Sequence, residues 1–192
     1  MANEIFVTVA DKLKMAEEAG IKFPHYTNTD NPIDFPVSAL KHTKGNLLDL
    51  AEAGEFDIIV QGCNCFCRMG SGIAKEIRAR YPRAWNVDML TNEGDYTKLG
   101  NWTDADAGTF WIINAYTQYD TAKAPGEDVF EYTAFELILQ KLHHQFGSKR
   151  IGLPYIGMGL AGGAKDIILS QIEYFAEKVA ATGGSVTLVE FG

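Results

Sequence analysis

Apolar runs and helix-forming segments alternate along most of the chain. Residues 56–61 and 109–117 are short runs rich in β-branched and aromatic residues, which is typical of strands buried within a sheet. The segments between such runs end at a glycine or a proline, as helices commonly do. The pattern predicts strands at residues 37–43, 56–61, 109–117, 150–155 and 185–191, and helices at residues 47–53, 72–81, 84–92, 129–146 and 164–181.

The alternation of strands and helices indicates the fold class. Strands joined by helices form a mostly parallel sheet that carries helices on both faces. A chain of 192 residues suits one domain of this kind. We therefore expect a three-layer α/β/α domain over residues 37–192, with a central mixed, mostly parallel sheet.

Residues 1–36 do not continue this pattern. A short strand is predicted at residues 4–9 and a short helix at residues 10–19, which ends at Gly20. Residues 23–36 carry three prolines and several Asn and Asp residues, a composition typical of loops. We expect residues 1–36 to form an N-terminal extension packed on the main domain.

Charge and composition narrow the classes of function. A net charge of -8 argues against broad electrostatic binding to nucleic acid. Backbone N–H groups can still bind a small anion without any net positive charge. No apolar run approaches the roughly 18 residues of a membrane span, and the N-terminus lacks the basic and apolar regions of a secretory signal. The composition thus predicts a cytoplasmic protein with no membrane partner.

The three cysteines, Cys63, Cys65 and Cys67, form one cluster. An odd, clustered set does not fit a disulfide framework, and its spacing differs from the usual zinc pattern. We therefore predict reduced thiols, with no metal and no cofactor.

Two glycine-rich loops each follow a predicted strand and precede a predicted helix. The first glycine loop spans residues 61–77 and the second glycine loop spans residues 153–167. Ligands of open α/β sheets bind beyond the carboxyl ends of the strands. Glycine lets the backbone approach an anion closely, and the following helix adds its N-terminal N–H groups. The paired loops predict a ligand with two phosphates or a long polar linker.

The second glycine loop also fits the G-x-G-x-x-G pattern over residues 157–162. In a dinucleotide-binding Rossmann domain this pattern occupies the first strand-to-helix turn, with several units still to follow. Here one predicted helix and one predicted strand follow, and no acidic residue ends a second strand. The pattern therefore argues against a Rossmann domain, and the chain contains no P-loop motif.

Residues 37–191 resemble the macrodomain family. Gly45-Asn46-Leu47 corresponds to the Gly-Asp-Ile/Leu motif after the first strand of that family. Cys63-Asn64 is followed by eight residues and then by Ile73-Ala74, which is similar to the family's Asn-rich motif and its spacing. Residues 154–162 resemble the family's second phosphate loop. The strings around Asn64 and Ile73 look most like the branch that contains ADP-ribose 1''-phosphate phosphatases and certain ADP-ribosyl hydrolases.

The resemblance implies a role for each part of these motifs. Asn64 would hydrogen-bond the distal ribose and act in catalysis, because an amide offers both a donor and an acceptor. The two glycine loops would hold the diphosphate, and Phe191 would stack on adenine or, alternatively, pack in the core. The implied substrate-binding residues are Asn46, Leu47, Met69, Gly70, Ser71, Gly72, Ile73, Ile156, Gly157, Met158, Gly159, Leu160 and Phe191.

Four positions depart from the family pattern. Asn46 stands where the family usually has an aspartate that accepts from the adenine amino group, so we expect a weaker acceptor. Ala161 replaces a common aromatic residue beside the distal ribose, and Met69 is histidine in some relatives. The nucleophilic lysine of the hydrolases aligns with Gln118, and the aspartate that some of them use aligns with Ala161.

The sequence leaves three functions open. The leading hypothesis is a phosphatase that hydrolyses ADP-ribose 1''-phosphate to ADP-ribose. The second is a binding module that reads ADP-ribose without turnover, favoured by the lack of an evident base. The third is an ADP-ribosyl hydrolase on protein or DNA, which the missing lysine argues against. Further candidates for pocket lining are Asn114, Tyr116 and Gln118, and candidates for orienting water are Asp120 and Asp128.

Overall fold

The computed structural model describes residues 38–192 together with Lys14, Met15, Glu18 and Gly20. Lys14, Met15 and Glu18 are helical, as the sequence predicts for residues 10–19. The rest of the predicted N-terminal extension, including its strand at residues 4–9 and its packing on the domain, lies outside the described residues. Across residues 38–192, no helix is long and apolar enough to cross a membrane.

Six strands form one sheet within residues 38–192. Their order is β1-β6-β5-β2-β4-β3, and every neighbouring pair is parallel except the antiparallel pair of β3 and β4. The expected mixed, mostly parallel sheet is therefore confirmed. The strands are β1 Leu40–Lys44, β2 Ile58–Asn64, β3 Trp102–Asp106, β4 Trp111–Gln118, β5 Arg150–Leu153 and β6 Ser185–Glu190.

Helices cover both faces of the sheet. They are α1 Leu47–Glu52, α2 Gly72–Arg80, α3 Pro82–Met89, α4 Tyr132–Phe146 and α5 Lys165–Ala181, with a short 3-10 helix at Tyr96–Lys98. Neighbouring strand residues alternate between two cores, since Val60 packs with α4 and α5 whereas Ile59 packs with α1, α2 and α3. The two cores on opposite faces confirm the three-layer α/β/α fold.

Strand β3 was missed by the sequence pattern. It is an edge strand that pairs with β4 alone, and four of its five residues are exposed or half-buried, so that only Ala105 is buried. A strand with a single buried residue lacks the apolar run that identifies the central strands.

Helix α4 begins at Tyr132 and not at residue 129 as predicted. The carboxylate of Asp128 accepts a hydrogen bond from the backbone N–H of Phe130 at 2.9 Å. Phe130 then forms an isolated antiparallel bridge with Gln118 at the end of β4. These residues are therefore extended, and they bring the chain across the carboxyl ends of the strands before the helix starts.

Candidate functional site

A groove crosses the carboxyl ends of the parallel strands. Its larger part, the main cleft, has a volume of about 940 Å³ and is lined from the ends of β2, β4 and β5. Its smaller part, the end pocket, has a volume of about 420 Å³ and lies at the ends of β1 and β6. Gly72, Ile73 and Pro154 line both parts, so the two adjoin as one groove.

The first glycine loop leaves open space at Gly72. Its φ is +53°, in the region that favours glycine, and a Cβ added there would meet no atom within 4 Å among the described residues. Gly72 is also the first residue of α2, and Ser71 caps that helix without a side-chain hydrogen bond. The loop therefore presents bare backbone and a helix N-terminus to the groove, which suits an anion.

Asn64 lines the main cleft but is largely committed to its own loop. Its side-chain oxygen accepts hydrogen bonds from the backbone N–H groups of Phe66 at 3.0 Å and Arg68 at 3.1 Å. Its amide nitrogen donates to the Arg68 carbonyl at 2.9 Å. One amide N–H remains available, so Asn64 can donate to a ligand but has little acceptor capacity left.

A buried lysine, Lys98, holds the backbone of the first glycine loop on the side that faces the core. The ammonium of Lys98 donates to the Cys65 carbonyl at 3.0 Å and lies 3.6 Å from Asp88 Oδ1. The Tyr116 hydroxyl donates to the same Asp88 oxygen at 2.7 Å, and the Lys98 ammonium lies 4.4 Å from the centre of the Tyr116 ring. Such a network is costly to break because each member would be left buried without its partner.

The cysteines belong to this support and not to the cleft. Cys63, Cys65 and Cys67 are buried and free, as predicted. Burial raises the pKa of Cys65 to about 11 and also raises that of Cys63. These two thiols therefore stay protonated at neutral pH, which suits packing and not nucleophilic attack.

The second glycine loop owes two of its glycines to close packing. A Cβ on Gly157, whose φ is +76°, would lie 2.4 Å from Phe130 Cδ2. A Cβ on Gly162, whose φ is +69°, would lie 2.3 Å from the carbonyl oxygen of Glu127. All three glycines of the pattern line the main cleft, but Gly159 differs from the other two because a Cβ there would meet no atom within 4 Å among the described residues. Close packing thus accounts for Gly157 and Gly162, whereas Gly159 leaves open space in the groove.

A third segment, residues 119–128, forms a wall that the sequence did not predict, and we call it the bridging loop. The Glu127 carboxylate accepts from the backbone N–H groups of Lys123 at 2.6 Å and Ala124 at 3.3 Å, which ties the loop to itself. Arg68 donates to Asp120 at 2.8 Å and thereby joins the bridging loop to the first glycine loop. Gln118 donates to the Asp120 carbonyl at 2.7 Å.

The end pocket corrects the role expected of Asn46. Its side-chain oxygen caps α1 by accepting from the backbone N–H groups of Leu48 at 2.8 Å and Asp49 at 3.3 Å, so it is not free to accept from a ligand. Its amide nitrogen donates to Glu76 Oε1 at 2.8 Å. Glu76 also lines the pocket and is the acidic residue there, and the sequence reasoning missed it.

Phe191 lies at the open side of the end pocket with 77% of its surface exposed. This exposure excludes the alternative that it is a core aromatic residue. The ring is therefore accessible to a ligand in the end pocket.

The remaining predicted site residues divide into two sets. Met69 was expected to bind substrate, but the structure places it elsewhere. It is 2% exposed, packs in the core beneath the first glycine loop with Tyr116, and does not line the groove. Gly70 and Met158 also do not line either part of the groove among the described residues. The predicted residues that do line it, beyond those already described, are Leu47, Ser71, Ile73, Ile156 and Leu160.

The weaker candidates also separate. Asn114 and Tyr116 are buried under the cleft, and only Gln118 of that strand lines it. Asp128 is 3% exposed and accepts from Phe130 and Tyr132, so it cannot orient water in the cleft. Asp120 stays beside the cleft, with its side chain 23% exposed.

No known protein-family profile matches the chain. An uncharacterised 17.5 kDa protein from the tk-vs intergenic region of Enterobacteria phage T4 is 33% identical over 150 residues. The aligned region covers 73% of this chain and 92% of the phage protein. Likeness at this level over nearly the whole relative indicates common descent.

Solved structures with a similar fold include macrodomains. The macrodomain of Thermus aquaticus DarG superposes with a TM-score of 0.60 at 21% identity, over 79% of this chain and 97% of that one. The Trypanosoma brucei macrodomain, whose structure contains ADP-ribose, superposes with a TM-score of 0.58 at 16% identity, over 84% of this chain and 67% of that one. At these identities the likeness concerns the fold, and the fold is that of a macrodomain.

Proposed function

Because the chain belongs to the same family as the phage T4 protein and has the macrodomain fold, we propose that it binds ADP-ribose and hydrolyses ADP-ribose 1''-phosphate. The observation that carries the proposal is the continuous groove between the two glycine loops. From β1 to β4 it crosses four strand spacings, or roughly 19 Å. A ligand that fills this groove would be long, with polar groups in the middle between the glycine loops and a planar group at the Phe191 end.

The end pocket suits adenine. The exposed ring of Phe191 can stack on one face of the base, and stacking is favourable in an offset arrangement. Glu76 Oε1 is engaged by Asn46 and by Arg80, each at 2.8 Å, which holds the carboxylate in place. Its second oxygen can accept from the amino group of the base, the role that Asn46 cannot fill.

The middle of the groove suits a diphosphate. Gly72 at the first turn of α2 and Gly159 in the second glycine loop each leave open space above the backbone. Backbone N–H groups on two sides can then donate to phosphate oxygens, aided by the helix N-terminus. This mode of binding is compatible with a chain whose net charge is -8.

The main cleft beyond Asn64 would take the distal ribose and its phosphate. Hydrolysis breaks the bond between phosphorus and the oxygen on C1''. Water adds its oxygen to phosphorus, and the departing oxygen takes up a proton, which yields ADP-ribose and inorganic phosphate. Asn64 would donate its remaining N–H to the distal ribose and hold the phosphate for in-line attack.

Release of inorganic phosphate from ADP-ribose 1''-phosphate tests the proposal. Wild type should release phosphate, and Asn64→Ala should slow the release about 100-fold, as loss of positioning typically does. Because Ala also removes the hydrogen bonds from Phe66 and Arg68, Asn64→Asp is a second variant: it keeps an oxygen that accepts from both backbone N–H groups, but it loses the amide donor and with it the bond to the Arg68 carbonyl. Asp should slow release as Ala does, and because its second oxygen faces the Arg68 carbonyl its thermal midpoint should fall, so release is measured at a temperature at which both variants are folded.

A reader module without turnover is the second candidate. The one carboxylate that lines the main cleft within the described residues is Glu127, and it already accepts two backbone N–H groups. This favours slow catalysis or none. Tight binding of ADP-ribose with no phosphate release by wild type would establish the reader and exclude the phosphatase.

A further inference from the structure

We propose that Arg68 and Lys123 form a subsite for the terminal phosphate of the ligand, at the β4 end of the main cleft. This inference rests on the proposed function and names the side chains that would distinguish a phosphorylated ligand from ADP-ribose. Within the described residues, Arg68 and Lys123 are the two cations that line the main cleft. They come from different segments, the first glycine loop and the bridging loop.

Charge is distributed unevenly along the groove. The end pocket carries Glu76 and, within the described residues, no cation, whereas the main cleft carries Arg68 and Lys123 and one carboxylate, Glu127, which already accepts from two backbone N–H groups. An anionic group at the end of the ligand is therefore favoured at the β4 end and disfavoured at the β1 end. In a protein with a net charge of -8, a cleft lined by more cations than carboxylates is a local exception.

Arg68 is held in place before any ligand binds. Its backbone is hydrogen-bonded on both sides by Asn64, and its guanidinium lies 4.8 Å from the centre of the Phe66 ring. One guanidinium nitrogen, Nη1, donates to Asp120 at 2.8 Å. Among the described residues no other hydrogen bond uses the guanidinium, so most of its five N–H donors remain for a phosphate.

Lys123 lines the same cleft from the bridging loop. Its backbone N–H is fixed by Glu127 at 2.6 Å, and its side chain is exposed. No described residue forms an ion pair with its ammonium. A phosphate between Lys123 and Arg68 would gain charge-assisted hydrogen bonds from both. Sugar hydroxyls, which are neutral, would gain much less.

The two phosphate sites would thus work differently. Backbone N–H groups of the glycine loops hold the diphosphate, which every ADP-ribose derivative carries. The side chains of Arg68 and Lys123 hold the terminal phosphate, which only the phosphorylated ligand carries. Removing these side chains should therefore reduce the preference for the phosphorylated ligand over ADP-ribose, while the affinity for ADP-ribose itself stays nearly the same.

Calorimetry with two ligands tests the subsite. The first is ADP-ribose, and the second is its 1''-methylenephosphonate, in which carbon replaces the bridging oxygen so that no phosphate is released. Wild type should bind the phosphonate at least about 10-fold more tightly, as hydrogen bonds to a charged group typically provide. Arg68→Gln and Lys123→Gln should each remove most of that preference and leave the affinity for ADP-ribose within about twofold.

Lys75→Gln is the matched control, because Lys75 is an exposed lysine of α2 that lines neither part of the groove. It changes the net charge by the same amount and should keep the preference. If wild type binds ADP-ribose and both cleft variants keep the preference for the phosphonate, this inference alone is overturned. Failure of wild type to bind either ligand would overturn the proposed function together with it.

Discussion

Gly72→Glu places a carboxylate in the middle of the groove. The residue has a φ of +53°, so any side chain there costs about 1–2 kcal/mol of stability. Because a Cβ would meet no atom within 4 Å among the described residues, no steric penalty adds to that strain. The variant should therefore remain folded at room temperature, with a somewhat lower thermal midpoint.

The effect on binding should be much larger. A carboxylate about 5 Å from a phosphate charge, at an effective dielectric constant of about 20, costs about 3 kcal/mol. The diphosphate carries two such charges, and the new side chain also fills the space that the backbone left open. We expect the affinity for ADP-ribose to fall by at least about 100-fold, measured by calorimetry on the folded variant.

Gly54→Glu is the matched control. Gly54 has a φ of +84°, and a Cβ there would also meet no atom within 4 Å among the described residues. It lies between α1 and β2, at the amino edge of the sheet and away from the groove. Both variants add the same charge and similar strain, so only Gly72→Glu should lose binding. Unchanged affinity in folded Gly72→Glu, or equal loss in both variants, would refute the assignment of the first glycine loop.

Two further variants test other parts of the groove. Glu76→Gln should lower the affinity for ADP-ribose about 10-fold and raise the affinity for the inosine analogue, because Gln can donate to the carbonyl that replaces the amino group. An unchanged ratio of the two affinities would show that Glu76 does not recognise the base. Gly157→Ala should lower the free energy of unfolding by about 2–4 kcal/mol, since its φ is +76° and its Cβ would clash with Phe130. Gly159→Ala, with open space at the Cβ, serves as its control in thermal denaturation, and equal midpoints for the two would contradict the packing argument.

The elements that the sequence predicted well carry their own local signal. The helix at residues 47–53 and the helix at residues 72–81 each begin after a polar or glycine residue and end near Gly54 or Pro82, and both are found within a residue or two of the prediction. Strand β2 is buried on both faces, so its apolar run identifies it at once. The two glycine loops could be predicted because each lies between a clearly marked strand and a clearly marked helix.

The parts that the sequence did not predict depend on contacts between distant segments. Glu76 reads as one more charge on an exposed helix, and only the fold brings it beside Asn46, thirty positions away. Lys123 lies in a segment without periodicity, and its place on the cleft is set by the bridging loop. Asn46 occupies a motif position, yet its side-chain oxygen accepts from the free backbone N–H groups at the start of α1. Asn immediately before a helix commonly forms this N-cap.

The most direct test of the central claim is a calorimetric comparison of ADP-ribose with AMP on the wild-type protein. The groove holds its ligand at both the end pocket and the two glycine loops, so ADP-ribose should bind in the micromolar range. AMP, which fills the end pocket and offers a single phosphate, should bind at least about 10-fold more weakly, a loss of about 1.4 kcal/mol. Equal affinities, or no binding of ADP-ribose, would contradict a diphosphate site between the two glycine loops.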